Sequence, residues 1–139
     1  MKYSISITIL FFILSCNSGD KNKMQKTEEK KSYFSSITPT DLIGKTIEYK
    51  YGESIYHVTI DSESEMHWEA MSGDEKGIKE EEHYKIESID ESRLFITWGE
   101  ANGVGVSQVL DFEKGVVYNH LLRGRDISIG RGKITILEQ

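Results

Sequence analysis

Glu100 is the residue whose position most demands a chemical explanation. The stretch Arg93–Glu100 alternates polar and apolar residues, and Glu100 continues the series Leu94, Ile96, Trp98. Strand geometry therefore places its carboxylate on the apolar side. A carboxylate facing an apolar cavity is penalised in its charged form, so its pKa rises and it can donate or accept a proton near neutral pH. If the strand ends earlier, the same side chain lies in the following hairpin and points to water. Tyr49 and Tyr51 sit two residues apart on one strand face and can offer two phenolic donors to an anionic group. The alternative is a pair of core tyrosines with locally satisfied hydroxyls. Gln108 interrupts the apolar series Val104, Val106, Leu110, Phe112, which turns an amide inward. Tyr56, Trp68 and Trp98 fall on apolar strand faces and supply aromatic walls. Together these seven residues are the candidate ligand-binding set, with Tyr49, Tyr51 and Glu100 the candidates for catalysis.

Other chemistries find little support. His57, His67, His83 and His120 are scattered over different strands without an i, i+2 pair, so zinc-ligand spacing is absent and no metal site is expected. The run Glu80-Glu81-Glu82 beside Asp74-Glu75 reads as a solvated acidic loop and lacks EF-hand spacing. No P-loop, GxSxG or dinucleotide fingerprint occurs. Gly103-Val104-Gly105 lies in a hairpin, whereas cradling a phosphate calls for a helix start. No cofactor is expected.

The chain that must position these residues has 139 of them, 29% charged and 37% hydrophobic, which suits one soluble domain. Its net charge of −6 speaks against nucleic acid as a partner. The charge is uneven. Residues 17–40 carry five lysines against three acids, while residues 41–139 carry twenty acids against eleven bases. A single cysteine, Cys16, excludes an internal disulfide framework.

That cysteine follows a basic start and the apolar run Ile5–Leu14, which is too short to span a bilayer. Ile13-Leu14-Ser15-Cys16 resembles the bacterial lipobox, in which the thiol is acylated and cleavage makes the cysteine the mature N-terminus. A plain signal peptide with a chance cysteine is the alternative. The sequence thus divides into a signal over 1–15, a lipidated flexible tether over 16–40 and a folded domain over 41–139. The tether has too few large apolar residues to offset its ordering entropy. The expected location is the bacterial cell envelope, periplasmic or surface-exposed, with the membrane as a partner through the lipid.

From Leu42 onward apolar residues recur with period two, and turn residues return every eight to twelve positions. Strands are predicted at Thr46–Tyr51, Ile55–Ile60, Glu65–Met71, His83–Ile89, Arg93–Glu100, Val104–Phe112, Val116–Leu122, Ile127–Ile129 and Lys133–Leu137. The only helical hint is a short turn at Pro39–Ile43. Tyr49, Val58, Trp68, Ile96 and Trp98 should be buried. So many antiparallel strands must hide their edges, and closing the sheet does so. The expectation is an all-β, antiparallel up-and-down barrel of about eight strands, calycin- or lipocalin-like, with a two-sheet sandwich as the alternative.

An ordered series of short motifs spans residues 42–137: Leu42-Ile43-Gly44-Lys45-Thr46, Tyr49-Lys50-Tyr51, Tyr56-His57-Val58, Met66-His67-Trp68-Glu69, Glu82-His83-Tyr84, Phe95-Ile96-Thr97-Trp98-Gly99-Glu100, Gly103, Val109-Leu110-Asp111-Phe112 and Gly115-Val116-Val117. This series resembles the MoaF-like domain family, whose calycin-type barrel is shared with bacterial phenolic acid decarboxylases. For those enzymes the resemblance implies cofactor-free loss of CO2 from a hydroxycinnamic acid. The carboxylate-binding tyrosines would be Tyr49 and Tyr51, a further pocket tyrosine Tyr56, and the proton-handling glutamate Glu100. The arginine of those enzymes has no counterpart: Ile78 aligns there, between Lys76 and Lys79, and a lysine lacks the planar guanidinium fork. Three functions remain in view. One is a barrel binding a small, partly aromatic molecule, another a decarboxylase-like lyase, and the third a filled barrel serving an envelope protein partner.

Overall fold

The computed structural model describes residues 36–138, and all statements below concern them. Cys16 and the sequence proposed as its tether up to residue 35 lie outside the described residues. Eight strands form one closed barrel in which each strand pairs antiparallel with its sequence neighbours and β8 returns to β1. They are β1 (Thr46–Tyr51), β2 (Ser54–Ile60), β3 (Glu65–Ser72), β4 (Lys79–Ser88), β5 (Arg93–Gly99), β6 (Val104–Asp111), β7 (Val116–Arg123) and β8 (Asp126–Ile136). The up-and-down barrel is the architecture the alternating pattern calls for, and the sandwich does not occur. Tyr49, Val58, Trp68, Ile96 and Trp98 are all buried.

Two strands differ from the sequence reading. β4 begins at Lys79 rather than His83, so Glu80, Glu81 and Glu82 are strand residues and not a solvated loop. They pair with Trp68, His67 and Met66 of β3, and Glu80 and Glu82 share the inward face with Tyr84 and Ile86. Backbone pairing with β3 overrides the low strand preference of a glutamate run. β8 is one continuous strand where two short ones were expected. Gly130 and Gly132 lie within it opposite Asn119 and Val117 of β7, and neither needs positive φ.

Gly132 has a specific job. A Cβ there would fall 2.8 Å from the Lys50 carbonyl and 2.8 Å from the Tyr51 ring, whereas a Cβ on Gly130 meets nothing closer than 3.9 Å. The bare backbone of Gly132 lets the Tyr51 ring approach it closely. Gly132→Ala should cost about 1–3 kcal/mol, as overpacking does. Gly130→Ala, where the added Cβ would make only an ordinary contact with Asn119, should change the denaturant midpoint far less, and equal effects of the two substitutions would refute the close-packing argument.

The barrel is a cup. Its closed end carries the β2–β3, β4–β5 and β6–β7 turns together with a short 3-10 helix, Pro39–Leu42. Proline at the first position suits a helix start, and Asp41 caps it by accepting from the Thr38 N–H at 2.8 Å and the Thr38 hydroxyl at 2.6 Å. Ile37 is tied to the β4–β5 turn through its N–H to the Glu91 carbonyl, 2.8 Å. Ile37 and Leu42 are buried and pack with the core that contains Ile47, Ile60, Met66, Leu94, Leu110 and Val117. This end is filled mainly by aliphatic side chains, joined by Phe112 and by Tyr84, whose hydroxyl donates to the Ser62 carbonyl at 2.7 Å. The opposite end, carrying the β1–β2, β3–β4, β5–β6 and β7–β8 turns, is lined by aromatic and polar ones.

Candidate functional site

The open end holds a cavity of about 330 Å³. All seven candidate ligand-binding residues line it: Tyr49, Tyr51, Tyr56, Trp68, Trp98, Glu100 and Gln108. Each reaches it by the same rule, alternate residues of a strand pointing to one face. Tyr49 and Tyr51 come from β1, Tyr56 from β2, Trp68 from β3, Trp98 from β5 and Gln108 from β6. Glu100 lies one residue past the end of β5 and still borders the cavity.

Four aromatic rings run edge to face along one wall. Tyr49–Tyr51, Tyr51–Tyr56 and Tyr56–Trp68 have centroid separations of 6.5, 6.3 and 6.1 Å, with interplanar angles of 82°, 71° and 67°. Such T-shaped pairs are favourable beyond their area burial and fix the wall's shape. Trp98 stands apart from this chain, on β5.

The polar atoms in this wall are poorly matched to one another. Tyr49 Oη, Trp68 Nε1, Trp98 Nε1, Gln108 Oε1 and Glu80 Oε2 are buried without a hydrogen-bond partner, and all five residues line the cavity. Gln108 Nε2 donates only weakly, to Tyr51 Oη at 3.4 Å and Asn119 Oδ1 at 3.5 Å. Native proteins rarely tolerate so many orphaned groups, because each costs about 1–3 kcal/mol. Here they belong to residues gathered around one cavity. Burial pushes the Tyr49 and Tyr51 hydroxyls far above their ordinary range, so both are neutral donors. The Tyr56 hydroxyl donates to Glu75 Oε2 at 2.7 Å, and burial followed by that carboxylate pushes its pKa up to about 12.

The mouth is acidic. Glu75, Glu80 and Glu100 line it, with Arg123 of β7 the cation among the lining residues. Burial raises the Glu100 carboxyl above the usual range, opposed by the Asn102 side-chain amide, which donates at 3.0 Å. Glu82, two residues beyond Glu80 on the same face of β4, is raised to about 7 by burial, by its hydrogen bond to Glu80, and by the charges of Glu80 and Glu100. Of these acids Glu100 was singled out in the sequence, whereas Glu75, Glu80 and Glu82 were not. Their signal was the alternation Glu80, Glu82, Tyr84, Ile86, hidden because its first two members are charged.

A raised carboxyl also links stability to pH. Between about 4.5 and about 7 the folded chain holds a proton at Glu82 that the unfolded chain has released. This contribution is full at the acid end of that window and is lost as pH rises through 7. The domain should therefore melt a few degrees higher at pH 5.5 than at pH 7.5, and Glu82→Gln should flatten the difference. The low carboxyl of Asp90, held near 2 by the Arg93 guanidinium, acts only at more acid pH. A melting temperature that rises steadily from pH 5.5 to 7.5 would contradict the shared-proton arrangement.

Among the described residues no group of three His, Cys, Asp or Glu side chains is arranged to hold a metal ion. The histidines have other neighbours: His57 pairs with Glu48 at 3.3 Å and His67 with Asp61 at 2.8 Å. Ile78 lines the cavity.

A sequence model of the MoaF-like family matches residues 43–135. No curated protein matches the sequence. Among solved structures, the chain is similar to a Burkholderia vietnamiensis protein described as "a putative beta-lactamase", with a TM-score of 0.64 and 21% identity, over 69% of this chain and 95% of that one. At that identity the likeness speaks to the fold alone.

Proposed function

The chain belongs to the MoaF-like family, and from that premise we propose that its barrel is a receptor for one small, partly aromatic or hydrophobic molecule, carried on a lipid-anchored protein of the bacterial cell envelope. The observation that carries the receptor reading is the set of five buried polar atoms without partners, all belonging to residues of one cavity. Its volume of about 330 Å³ falls within the range of small-molecule sites. Aromatic walls with a few convergent polar groups are the usual make-up of such sites.

The test is unusually direct, because the chain has two tryptophans, Trp68 and Trp98, and both line the cavity. Binding of a small aromatic molecule should change the intrinsic fluorescence saturably. A folded domain that responds to no small aromatic compound would overturn the receptor reading in favour of a barrel serving a protein partner.

The lyase reading has one observation in its favour: Tyr49, Tyr51 and Glu100 line the same cavity. Against it, Ile78 stands where the arginine belongs, and the carboxylates at the mouth repel an anionic hydroxycinnamate. Sustained CO2 release from a hydroxycinnamate, abolished by Glu100→Gln, would establish the lyase instead.

The anchor is tested separately. Cys16→Ser should shift the protein from the membrane to the soluble fraction and leave the signal uncleaved or differently cleaved. A variant as fully processed and as membrane-bound as wild type would remove the lipid from the proposal.

A further inference from the structure

The walls of the cavity say that something small enters, and its mouth says what charge that molecule carries. Glu75, Glu80 and Glu100 line the opening against one guanidinium, Arg123, while Lys76 and Lys79 are exposed and outside the lining. Glu80 has a buried oxygen with no partner, and the next inward residue of β4 is a fourth carboxyl, Glu82. With these acids, Trp68, Trp98 and the tyrosines line the same cavity. Trp68 and Trp98 are 8% and 9% exposed, and neither indole N–H has a partner; nor has the hydroxyl of Tyr49, 2% exposed. Carboxylates alone make an acidic surface. Carboxylates opening onto two nearly fully buried indoles and one such phenol, none with a hydrogen-bond partner, make a cage.

Resting on the reading of the barrel as a small-molecule receptor, we propose that its ligand is an organic ammonium ion, with the charged nitrogen between the carboxylates of Glu80 and Glu100 and the aromatic faces, and with a hydrogen-bond acceptor reaching the inner donors. Three physical effects favour this class. The negative faces of indole and phenol rings attract a cation, most strongly where water is excluded. Burial first, and then the charge of Glu80, raises the carboxyls of Glu82 and Glu100, and a positive charge placed among these acids favours their ionised form. The inner set, with Tyr49, Trp68 and Trp98 all donors, is complementary to an acceptor such as a hydroxyl or carbonyl oxygen. A carboxylate ligand could use those donors only by passing the acidic mouth.

Three probes of nearly equal shape and different charge decide it: phenethylamine, 2-phenylethanol and phenylacetate, titrated at pH 7.5 while following tryptophan fluorescence. Phenethylamine, protonated at this pH, should bind at least about tenfold more tightly than 2-phenylethanol, and phenylacetate should bind most weakly. Glu80→Gln and Glu100→Gln should each reduce the ratio of phenethylamine affinity to 2-phenylethanol affinity, and an unchanged sheet signal in circular dichroism shows that the variant barrel is intact. Equal binding of the amine and the alcohol, or a preference for phenylacetate, would overturn the ammonium proposal and leave the receptor standing. A preference for the amine that survives both substitutions would overturn the placement of the charge at these carboxylates. If none of the three binds, the receptor reading falls and the ammonium proposal with it.

Discussion

Leu42→Ala should lower the stability of the domain by about 2–5 kcal/mol, the range for emptying a fully buried leucine site. Leu42 is 0% exposed, and it belongs to the short helix that stops the closed end of the barrel. Its neighbours cannot collapse into the space. The strands around it are locked in a closed hydrogen-bond circuit, and Ile37 is held to the Glu91 carbonyl. In a domain of this size the loss corresponds to a fall in Tm of at least about 10 °C, read by thermal unfolding at 218 nm or an equivalent sheet signal. Ile129→Ala is the control: at 85% exposure it should change stability by no more than about 0.5 kcal/mol. A Leu42→Ala variant no less stable than the control would mean that the helix caps the barrel without stabilising it.

Tyr49→Phe should do the reverse to stability and remove function. The hydroxyl is buried at 2% exposure and has no partner, so the free protein bears its desolvation cost without a compensating bond. Deleting one oxygen from a shape otherwise conserved should raise stability by about 1 kcal/mol. In the complex the same hydroxyl is proposed to meet a polar group of the ligand, and its loss should weaken binding about tenfold. Opposite signs in the two measurements are the signature of a group retained for binding. Tyr49→Phe that destabilises the free barrel and leaves ligand affinity unchanged would return Tyr49 to the role of an ordinary core tyrosine.

The barrel was legible because most inward positions are apolar and alternate strictly, as with Leu94, Ile96 and Trp98 or Val104, Val106 and Leu110. Where the inward residues serve the open mouth, that signal vanishes. The inward face of β4 starts with Glu80 and Glu82, and a period-two search tuned to hydrophobicity reads such a run as solvent-facing. The failure and the site coincide, as expected where function overrides local preference. β8 was hidden for another reason. Residues Asp126–Arg131 are exposed on both faces, so no alternation in burial marks them, and two glycines lower the apparent strand preference. Arg123 could not be assigned to the cavity from sequence, because only the register of β7 against β6, Val104 opposite Arg123, brings it to the mouth. Tyr49, Tyr51 and Gln108 were visible as polar groups on apolar faces. The lack of a partner at Tyr49 Oη and Gln108 Oε1 was not, since satisfaction of a hydrogen bond depends on what the other strands bring.

The way the circle closes has a kinetic consequence. Every pairing but one joins strands adjacent in sequence, so seven ladders can form as successive hairpins at small loop-closure cost. The β1–β8 ladder is the exception. It joins the two ends of the domain through four residue pairs, Ile47–Lys50 against Lys133–Ile136, whereas β7–β8 has eight. The most distant contact is thus also the shortest ladder, and it can reward the chain only after the intervening sheet has curled. Folding should therefore end, and opening begin, at this seam. Amide exchange of Glu48 and Lys50 should report an opening smaller than global unfolding. Tyr49 and Tyr51 lie on the same strand, so the wall of the cavity is built on the last piece of the barrel to lock.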